Sequence, residues 1–100
     1  MLRIQITRDG DNIKKIILKG HANYSDYGTD IVCAAASATY LCTINAIFSI
    51  NNEALLVHEE ESKKTVTVLT NDDITTKLID NMIRCFLSLE KKYPKNITVK

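Results

Sequence analysis

From Ile31 to Ile50 the chain is almost wholly apolar and rich in alanine, relieved only by Ser37, Thr39, Thr43, Asn45 and Ser49. That run constrains the fold more than any other feature. It is long enough for a helix of several turns, and its apolar residues occupy most of the circumference. Such a helix is expected to lie centrally, covered by a sheet or by a partner. The polar interruptions leave it short of the roughly 18 unbroken apolar residues of a membrane span.

What flanks the run supplies the cover. "LRIQIT" alternates, with Leu2, Ile4 and Ile6 on one face. "RDGDN" at residues 8–12 is turn chemistry, with Gly10 free to take positive φ. "IKKIILKG" at residues 13–20 completes a β-hairpin. Residues 21–29 form a loop, and Thr29 or Asp30 can cap a helix running from about Ile31 to about Ile50. "EALLVHEEES" and "KKTVTVLTN" read as a second pair of strands. "NDDITTKLIDNMIRCFLSLEKKY" reads as an amphipathic helix along Ile74, Leu78, Met82, Cys85 and Leu89, stopped by Pro94. "NITVK" is a last short strand with Ile97 and Val99 on one face. The expected fold class is α+β, in the order ββαββαβ: antiparallel hairpins packed with two helices, as a single domain over residues 1–100.

Thirteen basic and 12 acidic residues leave a net charge of +1. The lysines are scattered through the sequence, so no direct contact with nucleic acid is expected. No apolar core follows a basic start, so no signal peptide is read, and a cytoplasmic protein is expected. Three cysteines without framework spacing are expected to be thiols. No phosphate-binding glycine loop and no CxxC or HxxxH spacing is present, so neither metal nor cofactor is expected. The "HEEE" at His58 does not converge on a strand, and His58 is expected at the surface. Cys42 and Cys85 are expected to be small buried hydrophobes.

Cys33 is different. If the helix starts near Ile31, this thiol lies in its first turn, where unpaired N–H groups and the macrodipole favour a thiolate. The same N–H groups can donate to an oxyanion. His21, twelve residues earlier and beside Gly20, is the candidate base, and Gly20 and Gly28 give the intervening loop flexible ends. Asp30 either caps the helix or orients His21. Ser37, one turn beyond Cys33, either faces the substrate or bonds its own helix. Tyr24 and Tyr27 either line a substrate channel or anchor the loop.

"GHA" at residues 20–22 and "YGTDIVCAAAS" at residues 27–37 resemble the signature of the ribosomal-processing cysteine protease (Prp) family. The resemblance implies a small α+β subunit that forms a homodimer. It also implies a catalytic pair, which falls here on Cys33 and His21, with Asp30 and Ser37 at the matching supporting positions. The loop carrying Tyr24, Tyr27 and Gly28 would meet substrate. Thr39 and Tyr40 depart from the aliphatic residues commoner after that serine, a change expected to alter the groove and not the chemistry. The implied activity is an endopeptidase that removes the N-terminal extension of a large-subunit ribosomal protein through an acyl-enzyme. A rival reading is a non-catalytic ribosome-assembly or RNA-binding module, and a third is a redox sensor using Cys33.

Overall fold

The computed structural model describes residues 1–20 and 27–100, with only the backbone described for residues 27–30. β1 (Leu2–Asp9) and β2 (Asn12–Lys19) form the first hairpin, closed by Gly10 at φ 61°. Its register slips between Thr7, which faces Lys15, and Arg8, which faces Ile13, leaving Lys14 as an extra residue. This bulge has a consequence for packing. Ile13 and Ile16 are three apart and would face opposite ways on a regular strand, yet both are buried.

α1 (Tyr27–Ile50) begins four residues before the expected start at Ile31. Residues 27–29, read as the end of a loop, and Asp30, read as a candidate cap, are its first turn, so neither Thr29 nor Asp30 is the cap. Its buried stripe is Val32, Ala36, Tyr40, Ile44 and Ile47, spaced by three and four. The opposite side is open: Ile31, Leu41 and Ile50 are 48%, 56% and 58% exposed. Cover on most of the circumference, as expected from composition, is therefore not found among the described residues.

β3 (Leu55–Glu59) and β4 (Lys63–Val68) form the second hairpin. α2 (Asp73–Lys92) follows, capped by Asp72, whose carboxylate accepts from the Thr75 N–H at 2.8 Å. That bond holds the Asp72 carboxyl below its usual range. The buried face of α2 is Thr75, Ile79, Met82, Ile83 and Phe86. The expected stripe is thus turned by about one residue, with Met82 shared and Ile74 exposed. β5 (Ile97–Val99) follows Pro94 and pairs parallel to β1, which the expected antiparallel hairpins did not include.

The sheet order is β3-β4-β2-β1-β5. The antiparallel pairs make β2 and β3 run the same way with β4 between them. Likewise β4 and β5 run the same way with β2 and β1 between them. These are two split β-α-β units. The second starts on a reversed strand and crosses in the reversed lateral direction. The two reversals cancel, so right-handed crossovers place both helices on one face. Ile4, Ile16, Leu18, Leu55, Val66 and Ile97 point into that layer. There they meet Val32 and Ile47 of α1 and Met82 and Phe86 of α2. Among the described residues, no element covers the other face of the sheet.

Candidate active site

Where α1 passes the ends of β1 and β2, a cavity of about 240 Å³ opens. Half-buried Cys33 lines it, with Ala36 and Ser37 one turn further along α1. Leu2, Leu18 and Gly20 come from the first hairpin, and residues 61–64 come from the β3–β4 turn and the start of β4. Gly20 is obligatory there. Its φ is +100°, and a Cβ would stand 2.6 Å from the Met1 carbonyl oxygen. Its N–H donates to the Ser62 carbonyl at 2.9 Å, which ties the end of β2 to the turn on the far side of the cavity.

Cys33 and Ser37 are brought to one cavity, as their spacing predicts. The reason given for Cys33 needs correction. It is the seventh residue of α1, not a first-turn residue. The helix's unpaired N–H groups lie within residues 27–30, and the macrodipole effect fades beyond the first turn. Neither thiolate stabilisation nor an oxyanion site at the helix start can therefore be assigned to Cys33.

Asp30 sits inside the first turn, so of its two readings the cap is excluded. Tyr27 and Gly28 lie in the same turn, and Gly28 is not a loop hinge. His21 and Tyr24 fall outside the described residues. Gly20, the residue bonded to His21, lines the cavity with Cys33. Cys42, expected to be buried, is exposed on the open side of α1, and Cys85 is half-buried. His58 is at the surface as expected, 3.3 Å from Glu60. No cluster able to hold a metal is present among the described residues.

The wall opposite α1 was not foreseen. Glu61, Lys63 and Lys64 reach the cavity only because β4 pairs with β2, which no local pattern announces. Behind this wall, the buried Tyr40 hydroxyl donates to Glu59 at 2.7 Å. The Lys64 ammonium sits 4.9 Å from the Tyr40 ring centroid. Burial, then the Glu59 carboxylate, pushes ionisation of Tyr40 well above its ordinary range. Tyr40 thus steadies a lysine of the cavity wall.

A half-exposed thiol in an open cavity is suited to nucleophilic attack on a carbonyl held there. The family model for cysteine protease Prp matches residues 1–98. Ribosomal processing cysteine protease Prp from Staphylococcus aureus (strain Mu50) is 31% identical over 97% of this chain and 95% of its own length. The crystal structure of S. aureus Prp with a substrate peptide superposes with a TM-score of 0.91. It is 26% identical over all of this chain and 98% of that one. The same protease with a covalently linked product peptide gives a TM-score of 0.89 at 27% identity, with the same coverage. The chain belongs to the cysteine protease Prp family and is a cysteine-type peptidase.

Proposed function

We propose that this peptidase removes the N-terminal extension of a large-subunit ribosomal protein, with Cys33 as nucleophile and His21 as its base. The observation that carries the reading is the shared cavity of Cys33, Ser37 and Gly20, the last bonded directly to His21. The S. aureus relatives are named for ribosomal processing, and one is held with a substrate peptide.

In this mechanism His21 takes the Cys33 proton and the thiolate attacks the scissile carbonyl. The tetrahedral adduct collapses, the C–N bond breaks, and the imidazolium protonates the leaving amine. Water, deprotonated by His21, then attacks the thioester, and the C–S bond breaks to release the acid and the thiol. Asp30 orients the imidazole. Ser37 contacts the peptide, and Tyr24, Tyr27 and Gly28 belong to the segment that covers it.

The protein works as a homodimer in the cytoplasm. The apolar outer side of α1, with Ile31, Leu41 and Ile50 exposed, supports pairing of two copies through the helical layer. Incubation with an N-terminally extended ribosomal protein, followed by mass spectrometry, tests the reading. One cut near the N-terminus is expected, and an intact precursor overturns it.

A further inference from the structure

The net charge of +1 conceals a segregation that only the strand register creates. On the face of the sheet away from the helices, Arg3 of β1 stands directly opposite Lys19 of β2, and Lys19 directly opposite Lys63 of β4. Thr98 of β5 continues the row beyond Arg3. Three cations therefore stand in line on three adjacent strands, each about 5 Å from the next at the backbone. Lys15, four residues from Lys19, adds a fourth on the same face. Beside Arg3, a shallow depression of about 260 Å³ is lined by Gln5, Thr98 and Lys100 as well as Arg3 and Ile4.

Glu60, whose N–H donates to the Lys63 carbonyl at 2.8 Å, stands at the far end of that row opposite Lys63. Among the described residues no carboxylate stands in the next two rows, which hold Gln5, Ile17, Thr65 and His58, then Thr7, Lys15, Thr67 and Leu56. Among the described residues, the carboxylates on this side are at its borders. Asp9 is at the hairpin tip, and Glu60 contacts His58 beyond the end of β3. Like charges directly opposite on a sheet destabilise it, and among the described residues no carboxylate stands directly opposite Arg3 or Lys19. A bound polyanion would relieve the repulsion.

We infer that this face holds the phosphate backbone of RNA while the opposite, helical layer carries the peptidase site. Its chemistry favours phosphate over a folded protein partner. It offers cations, threonine hydroxyls and a glutamine amide, with no tryptophan, tyrosine or phenylalanine among the described residues of these rows to anchor a protein interface or stack a base. Contacts of this kind position without reading sequence. The choice of RNA among polyanions rests on the ribosomal reading above, since a ribosomal precursor meets the enzyme in an RNA-rich setting. The affinity for phosphate rests on the register alone.

Fluorescence anisotropy with a labelled 20-nucleotide oligo-U tests the inference on the full chain. Three to four phosphate contacts predict a slope of about −2 to −3 in log affinity against log salt, or a loss of about 20- to 60-fold between 50 and 200 mM. Arg3→Gln with Lys19→Gln should weaken binding at least fivefold and flatten the slope by about 1.4. The same pair should raise the thermal midpoint at low salt, because the repulsion is gone, which also shows that the variant folds. Cleavage of a short precursor peptide should not change. Binding of oligo-dT at similar affinity supports a phosphate grip. No binding at 50 mM salt, binding indifferent to both substitutions, or equal affinity for a poly-glutamate of matched charge overturns it. Binding intact in a protein that cleaves nothing would sink the protease reading and leave this one standing.

Discussion

Gly20 and Cys33, thirteen residues apart in sequence, line the same cavity, one at the end of β2 and the other on the second turn of α1. The Gly20 backbone is held by Ser62 on one side and crowded by Met1 on the other. Any side chain there meets both a positive φ and the Met1 carbonyl. Gly20→Ala is therefore expected to cost roughly 1–3 kcal/mol in denaturant unfolding. It should also lower cleavage, because relief of the clash moves the segment bonded to His21. Wild-type stability and activity together in this variant would show that the close approach has no role.

Tyr40 ties α1 to the β3–β4 hairpin through Glu59 and supports Lys64. Tyr40→Phe keeps the ring and removes the hydrogen bond, an expected loss of about 1 kcal/mol at neutral pH. The pH dependence has a definite sign. The folded state holds the Tyr40 proton more tightly than the unfolded chain does. This contribution is fully present below the unfolded value of about 10 and is lost as pH rises toward the higher folded value. Urea midpoints from pH 8 to 11 should fall more steeply for the wild type than for Tyr40→Phe; parallel curves would contradict the assignment.

Much of the architecture is legible in local pattern. Leu2, Ile4 and Ile6 mark one face of β1, Gly10 its turn, and Pro94 the end of α2. The start of α1 was hidden because Gly28 is a poor helix former and Thr29 and Asp30 are good caps, so residues 27–30 look like a loop. The bulge at Lys14 broke the alternation of β2. The Cys33–Ser37 pair could be read from helical spacing. The opposite wall could not, because Lys63 and Lys64 join it through pairing with a strand more than forty residues earlier. The row of Arg3, Lys19 and Lys63 is invisible for the same reason.

The outer side of α1 carries Leu41 at 56% exposure, next to exposed Cys42. The proposed pairing predicts that the wild type sediments as a dimer and Leu41→Asp as a monomer, with the helical signal in circular dichroism unchanged. It also predicts slower alkylation of Cys42 in the wild type than in Leu41→Asp. A variant that sediments as a dimer would place the subunit contact elsewhere.

The most direct test of the central claim compares the wild type with Cys33→Ala on a ribosomal protein precursor carrying its N-terminal extension. The wild type should release the extension, and Cys33→Ala should release none while keeping the wild-type circular dichroism spectrum. Removal of the extension by folded Cys33→Ala would contradict the account.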